Sequence, residues 1–265
     1  MKNVFRIFAS AVLLATILSA CGQGGETPTA APPVDPGAGP VVILPSAQPS
    51  DPCANEYFPV RNNATWNYSS TGSPSGPYQF TNTVTNVRAD GFTLNYQFGT
   101  LTHTQEWACT SEGLIAQQLG PSNATSILAF QKFVNLQATN VSGVVIPPSI
   151  VTGAEWSHAA DIQGIQNLPG GATASMTARL AASYTAGNKE TITVPAGTFE
   201  AIAVEVSTVI DFTVVTPSNT VNLSVDSTYT LWYAPGVGLV KSSGYGKLGG
   251  QDYVETIVLE SYSIP

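Results

Sequence analysis

Histidine and cysteine, the residues that most often bind metals or act as nucleophiles, are rare in this chain. It has 2 His, 3 Cys, and 17 Asp and Glu among 265 residues. His158 precedes Asp161 by three positions, a spacing that could hold a metal on a helix, but the alternation around Trp156 indicates a strand. We interpret His158 as a solvent-facing or hydrogen-bonded side chain, and the sequence predicts no metal site and no cofactor.

The motifs of common catalytic sites are also missing from the sequence. No GxSxG or SxxK motif follows the N-terminal region. Gly244, Gly246 and Gly249 satisfy GxGxxG, but no helix follows to bind a pyrophosphate, so the motif indicates a glycine-rich hairpin turn between two strands. The acidic residues of the strands stand singly rather than in pairs: Glu190, Glu200, Glu205 and Asp211. We predict no catalytic residue and no enzyme; a hydrolase of envelope polymers, with a site assembled from distant residues, is the least favoured alternative.

The chain has three cysteines, and if Cys21 is modified separately, Cys53 and Cys109 are left as an even pair. In an oxidising compartment such a pair favours a disulfide, which would pin the N-terminal end of the domain to the sheet. Two buried free thiols are the alternative. No CxxC spacing supports a redox-active pair.

The third cysteine, Cys21, ends a segment typical of exported proteins. A charged start is followed by an apolar stretch from Phe8 to Leu18, which is shorter than the roughly 18 to 20 residues that span a membrane. The letters LSAC at residues 18–21 resemble the lipobox of bacterial lipoproteins, in which the chain is cut before the cysteine and a lipid is attached to it. We predict a signal peptide at residues 1–20 and a lipid on Cys21. An ordinary cleaved signal peptide with a chance cysteine is the alternative.

The lipobox also predicts a location. The protein is expected to be exported and held at the cell envelope by its lipid, so the membrane is a partner through the N-terminus. The residue after the cysteine is Gly22, whereas an Asp there resembles the signal that retains lipoproteins in the inner membrane. We therefore expect the outer membrane if the cell has two membranes.

Composition and charge exclude several classes of protein. Hydrophobic residues make up 43% of the chain, which is enough for a sizeable core. Charged residues make up only 10%, so the surface must consist largely of uncharged polar residues. Removing residues 1–20 takes away Lys2 and Arg6 and no acids, which changes the formal charge from −8 to −10. This charge and the lack of a basic run exclude nucleic acid as a partner.

Residues 21–52 are predicted to form a flexible stalk. Residues 22–52 hold 8 Pro and 5 Gly, and such a composition buries too little apolar surface to offset the entropy of ordering. The stalk would hold the folded part, residues 53–265, away from the membrane.

Beyond Cys53 the sequence alternates apolar and polar residues, the pattern of half-buried strands. The clearest sets begin at Phe92, Ala174, Ile202 and Val221, and several run to about 13 residues. Short Pro and Gly turns separate them, at 195–197, 217–219 and 235–236. The fold class is therefore mainly β, with long antiparallel strands in a meander that forms a strongly curved sheet or an open half barrel.

A weak internal repeat divides the domain into halves, residues 53–145 and 146–265. Four residues of the first half have the same spacing as four of the second, each set after a Pro. The two sets are Val60, Ala64, Trp66 and Tyr68, and Ile150, Ala154, Trp156 and His158.

Five segments carry a resemblance to a family. They are YFPVRNNATWNY (57–68), EWACTSEGLI (106–115), PPSIVTGAEW (147–156), TVPAGTFEAIAVEV (193–206) and WYAPGVGLVK (232–241). Together they resemble a broad group of uncharacterised bacterial envelope lipoproteins, in which a Gly commonly stands before the first Trp where this chain has Asn63. The resemblance implies an antiparallel β-domain similar to the half barrel of lipoprotein carriers, and it implies no known reaction.

Ligand binding has one candidate residue. Trp232 falls on the polar side of its predicted strand, where an exposed ring could stack on a sugar, although it could also pack under the following turn. The sequence favours a non-enzymatic binding or structural β-domain whose partner is a lipid, a polysaccharide or another envelope protein. A carrier is the alternative: small residues on the strands would leave room for an apolar ligand in a concave face, namely Ala174, Ala178, Ala182, Ala201 and Ala203.

Overall fold

A single antiparallel sheet dominates the protein. The computed structural model describes residues 51–73, 76–118, 134–168, 171–248 and 251–265. The predicted signal peptide, Cys21 and the predicted stalk up to residue 50 lie outside these residues. Within them the strands are β1 (Thr65–Thr71), β2 (Tyr78–Arg88), β3 (Gly91–Phe98), β4 (Leu101–Thr110), β5 (Gly113–Ala116), β6 (Val134–Gly143), β7 (Glu155–Asn167), β8 (Thr173–Val194), β9 (Gly197–Val215), β10 (Thr220–Ala234), β11 (Gly238–Leu248) and β12 (Gln251–Ser263).

The predicted meander is confirmed. The sheet order is β5-β4-β3-β2-β1-β12-β11-β10-β9-β8-β7-β6, so each strand pairs with a sequence neighbour and β12 returns to lie beside β1. Such short-range pairing follows from the Pro and Gly turns, which reverse the chain at Pro195, Pro217 and Pro235. No helix in the described residues is long and apolar enough to cross a membrane.

The central strands are longer than the predicted 13 residues. β8 has 22 residues, β9 has 19 and β10 has 15. Long strands twist and curl, because each strand is rotated relative to the next. The sheet therefore curves into a nearly closed, barrel-like form, with one face inside and one outside.

Backbone hydrogen bonds bring the two ends of the sheet together. The Leu114 N–H, in end strand β5, donates to the Ile146 carbonyl at 2.8 Å, and the Val145 N–H donates back to the Leu114 carbonyl at 2.9 Å. Ile146 follows the other end strand, β6. Gly113 permits this approach: its φ is +135°, and a Cβ there would lie 2.4 Å from the Ile146 oxygen.

We expect Gly113→Ala to lower the free energy of unfolding by about 2 kcal/mol or more, because the methyl group meets backbone and the φ angle disfavours any side chain. Urea unfolding would measure the loss. Gly99→Ala is the matched control, since its φ of +54° is also positive but nothing lies within 4 Å of its Cβ. The control should lose about 1 kcal/mol. Equal losses in the two variants would contradict the importance of closure at Gly113.

The core fills one end of the curved sheet. Phe58, from the segment before β1, stacks on Trp66, Phe92 and Trp107 with ring centroids 5.4, 5.5 and 5.9 Å apart. Trp66 is fully buried and its Nε1 donates to the Val237 carbonyl at 2.6 Å. The aromatic stack therefore joins the N-terminal segment, the first strands and the turn after β10.

A disulfide ties the same N-terminal segment to the sheet. Cys53 and Cys109 are bonded, with their Cα atoms 4.9 Å apart, and both are buried in the core. This is the pair that the sequence predicted, and Cys109 lies in β4, beside the aromatic stack.

The two predicted halves open with the same backbone bonds. The Asn63 N–H donates to the Val84 carbonyl at 2.8 Å, and the Val84 N–H donates to Ala64 at 2.9 Å. In the second half the Gly153 N–H donates to Ala186 and the Ala186 N–H donates to Ala154, both at 2.8 Å. Asn63 and Gly153 have φ angles of 65° and 82°, which explains why Asn can stand where a Gly is common. A repeat over the whole halves stays a prediction.

Candidate functional site

A cavity of about 410 Å³ lies inside the curved sheet. Every one of the twelve described strands contributes at least one lining residue, so the wall is the inner face of the sheet itself. Its aromatic members are Phe58, Tyr68, Phe80, Tyr96, Trp107, Tyr184, Phe212, Tyr229, Tyr233 and Tyr253. Its aliphatic members include Leu94, Ile162, Leu180, Val206, Ile210, Leu231, Leu239 and Ile257. The volume is that of a small-molecule site.

Alternation along the strands explains why the cavity is apolar. Side chains of successive residues point to opposite faces, so Leu180, Ala182 and Tyr184 of β8 line the cavity while Ala181 and Ser183 are exposed. Of the five small residues predicted to leave room, Ala182 lines the cavity. The other four, Ala174, Ala178, Ala201 and Ala203, are buried but do not line it.

One polar side chain of the cavity wall, Gln105, has hydrogen-bond partners at both its oxygen and its nitrogen. The Gln105 Oε1 atom accepts from the Tyr96 hydroxyl at 2.8 Å and from Trp107 Nε1 at 2.9 Å. The Gln105 Nε2 atom donates to the Gln118 carbonyl at 2.7 Å. Gln105 is buried, so these bonds offset its desolvation and fix the two aromatic rings in the wall.

His158 also lines the cavity, and it is only 7% exposed. Of the two interpretations, solvent-facing or hydrogen-bonded, the first is wrong because the curvature of the sheet turns the inner face of β7 away from water, and the bond to the Ser142 backbone agrees with the second. Its Nδ1 atom has no hydrogen-bond partner. Burial lowers the pKa of His158, and a hydrogen bond with the backbone of Ser142 acts in the opposite direction.

The spacing between His158 and Asp161 does not make a metal site. The residues lie three apart on strand β7 and so point to opposite faces, and the Asp161 carboxylate accepts from Asn140 Nδ2 at 2.7 Å. In the described part of the chain no group of three or more His, Cys, Asp or Glu side chains could hold a metal ion.

A buried carboxylate lies on the same inner face. Glu255 of β12 is 2% exposed, and its Oε1 atom accepts from the Ser70 hydroxyl at 2.6 Å and the Tyr78 hydroxyl at 2.7 Å. Its Oε2 atom has no partner. The residues two positions away on either side, Tyr253 and Ile257, both line the cavity.

The glycines of the GxGxxG motif support the wall of the cavity. Gly244 and Gly246 lie within β11, not in the predicted hairpin turn, because the strand continues to Leu248. A Cβ on Gly244 would lie 2.0 Å from the Tyr229 ring, and a Cβ on Gly246 would lie 2.5 Å from the Tyr253 hydroxyl. The glycines therefore give room to two tyrosines of the wall. Gly249 lies outside the described residues.

The apolar inner face of the sheet extends beyond the residues that line the cavity. Val221, Leu223 and Val225 of β10 share the inner face with Leu231 and Tyr233 but are 37, 56 and 38% exposed. The alternation predicts that all three lie on the apolar face of a half-buried strand. They are more exposed because β11 pairs with β10 only from Ser227 onward.

Trp232 lies outside the cavity. It stands between the inward residues Leu231 and Tyr233, so its side chain is on the outer face. Its Nε1 donates to the Glu190 carboxylate at 3.0 Å, and the Lys241 Nζ atom lies 4.8 Å from its ring centroid. The structure therefore separates the predicted ligand contact from the cavity, and a role for Trp232 in stacking on a sugar stays a prediction.

One region of the chain is similar to a known protein family. Residues 132–252 match the model of the DUF3108-like family. This match begins just before β6 and ends at the start of β12, so it covers most of the predicted second half. No curated protein matches the chain.

Two solved structures are similar to the chain. One is a protein from Bacteroides fragilis described as exported and as having a YmcC-like fold, with 14% identity and a TM-score of 0.48. The other is from Parabacteroides distasonis and is described as a lipoprotein, with 16% identity and a TM-score of 0.45. Each comparison covers 79% of this chain and 99% of the other.

Proposed function

We propose that this protein is a lipid-anchored component of the cell envelope that binds an apolar or amphiphilic ligand inside its curved sheet and catalyses no reaction. The observation that carries the proposal is the cavity of about 410 Å³, whose wall is mainly aromatic and aliphatic. Ligand sites are typically concave, mostly apolar and of this size.

The apolar inner face of the sheet extends beyond the cavity, which favours a ligand that is longer than the cavity. The exposed residues Val221 and Leu223 continue the inner face from Val225, which lines the cavity. Exposed neighbouring apolar residues on a soluble protein commonly mark a binding surface. An apolar chain could therefore lie partly in the cavity and partly along the projecting end of β9 and β10.

The predicted anchor supports access to such a ligand. Two or three acyl chains on Cys21 would hold the chain at a membrane, where apolar and amphiphilic molecules are concentrated. A stalk at residues 21–52, as the sequence predicts, would give the domain freedom to approach the lipid surface or another envelope protein.

The side chains of the wall favour binding over catalysis. His158 makes no side-chain hydrogen bond to a Ser, Thr or Cys in the described residues, and the Tyr96 hydroxyl donates to Gln105. An activated nucleophile needs a base within hydrogen-bonding reach, and the described hydrogen bond of His158 goes to the backbone of Ser142 instead.

Titration with N-phenyl-1-naphthylamine, an uncharged apolar fluorophore, would test the proposal. The protein would be the mature chain, residues 22–265, exported through a cleavable leader so that it carries no lipid of its own. We expect a saturable rise in fluorescence with one site per chain, and native mass spectrometry should show a co-purified molecule or its displacement by the probe. A linear response that never saturates, together with a bare protein mass, would overturn the proposal and favour a structural role or a protein or polysaccharide partner.

A further inference from the structure

The inner face of the sheet holds buried polar atoms that lack hydrogen-bond partners. Three buried side-chain atoms of the described residues lack a hydrogen-bond partner: Asn82 Oδ1, His158 Nδ1 and Glu255 Oε2. Asn82 and His158 line the cavity. Glu255 lies on the same face of β12, between Tyr253 and Ile257, which also line it. All three unpartnered atoms therefore belong to one surface, although they come from three separate strands.

The three atoms have the same chemistry. An amide oxygen and a carboxylate oxygen can only accept a hydrogen bond. Burial lowers the pKa of His158 and so favours the neutral ring; because the bond to the Ser142 backbone uses the donating nitrogen, the unpartnered Nδ1 is left as an acceptor. Buried polar atoms without partners are costly, so a molecule that brings donors to this wall is favoured over one that brings only acceptors.

The Glu255 carboxylate also disfavours a ligand with a negatively charged group. Glu255 keeps one oxygen for the Ser70 and Tyr78 hydroxyls and leaves the other bare. The ion pairs among the described residues involve Arg88 with Asp90 and Glu106, on strands away from β12. A negative group at the part of the wall formed by Tyr253 and Ile257 would therefore lie near a carboxylate that has no ion pair among the described residues.

We propose that the ligand of this cavity is a long-chain molecule whose polar group donates hydrogen bonds and carries no negative charge, such as an alcohol, an amide or an amine. The inference rests on the proposed function, since it names the class of molecule that the same cavity binds. It disfavours fatty acids and lipids with anionic head groups. The polar group would donate to Asn82 or His158, which line the cavity, and the apolar chain would lie along the aromatic wall.

The test is competition against N-phenyl-1-naphthylamine with compounds of equal chain length and different head groups. Tetradecan-1-ol and tetradecylamine supply donors, methyl tetradecanoate supplies only acceptors, and tetradecanoate supplies a negative charge. We expect the alcohol and the amine to displace the probe at concentrations about tenfold lower than the ester or the carboxylate, the change that one hydrogen bond of about 1.4 kcal/mol produces.

Substitutions in the cavity wall would show whether its acceptors cause the preference for donor head groups. Asn82→Leu and His158→Leu remove acceptors and should reduce the preference for donors severalfold while the probe still binds. Asn95→Leu is the control, because Asn95 lies on the outer face of the neighbouring strand β3 and bonds to Thr85 and Thr104. It should leave the preference unchanged.

The outcomes separate the inference from the proposed function. If the probe binds but all four compounds displace it equally, or the carboxylate displaces it best, the inference is wrong and the cavity selects only for an apolar chain. Such equality would mean that ordered water satisfies the three acceptors. If the probe does not bind, the proposed function itself fails.

Discussion

Replacing Cys53 and Cys109 together with alanine is expected to lower the free energy of unfolding by about 4 kcal/mol. The two cysteines are 56 residues apart, and a cross-link over a loop of that length removes much of the entropy of the unfolded chain. Both side chains are buried, so alanine, which adds no polar group to the core, is a milder replacement than serine.

The disulfide also holds a segment that forms part of the cavity wall. Cys53 lies five residues before Phe58, whose ring stacks on Trp66, Phe92 and Trp107 and also lines the cavity. Releasing Cys53 therefore loosens the segment that forms one end of the cavity. We expect the affinity for N-phenyl-1-naphthylamine to fall along with the stability.

Urea unfolding of the double alanine variant and of the oxidised protein would measure the loss. For a domain of about 200 residues, a loss of 4 kcal/mol corresponds to a melting temperature lower by about 8 to 16 °C. The oxidised protein treated with a reductant is the control, since it should unfold like the variant. A variant that loses less than about 1 kcal/mol would show that the closed loop contributes little to stability.

The strands could be predicted because their signal is local. Alternation along β8 and β10 and the Pro and Gly turns between the strands are properties of neighbouring residues, and neighbouring strands pair in a meander. The lengths were harder to predict. Charged and polar residues of β8 such as Lys189 and Glu190 do not end the strand, because its outer face is exposed to water.

The closure of the sheet could not be predicted, since it depends on contacts between distant residues. The bridge between Leu114 and Ile146 joins end strand β5 to the segment that follows β6, and no local pattern marks either residue as a partner. The same holds for the two sequence motifs at residues 57–68 and 232–241. They pack together through Trp66 and Val237 and through Tyr68 and Leu239, whose carbonyl accepts from the tyrosine hydroxyl at 2.9 Å.

The polar members of the wall were missed for a related reason. Single residues such as His158 and Glu255 stand in strands without a partner nearby in sequence, and a strand pattern gives the face of a side chain but not what lies opposite. The signal for His158 was its place in the inward set with Ala160 and Ile162. Trp232 lies on the polar face, as the alternation of its strand predicts, but that face is outside the cavity.

Filling the cavity is expected to abolish binding with little loss of stability. Ala160 of β7 and Ala182 of β8 both line the cavity, and Ala160→Phe with Ala182→Phe would place two rings in the space that a ligand needs. We expect the affinity for N-phenyl-1-naphthylamine to fall by more than about tenfold, or more than about 1.4 kcal/mol of binding free energy. If the space were already filled, the two rings would overpack the core, and the free energy of unfolding would fall by about 1 to 3 kcal/mol or more.

The chain offers a matched control for this variant on the same two strands. Ala159 and Ala181 pair with each other in β7 and β8 and lie on the outer face, where Ala181 is exposed. Ala159→Phe with Ala181→Phe adds the same two rings without entering the cavity, so it should bind the probe as the unaltered protein does. Fluorescence titration and urea unfolding of both double variants would separate the two effects. If the inner variant still bound the probe with full affinity, the ligand would have to bind elsewhere, and the projecting inner face of β10 at Leu223 would be the next surface to test.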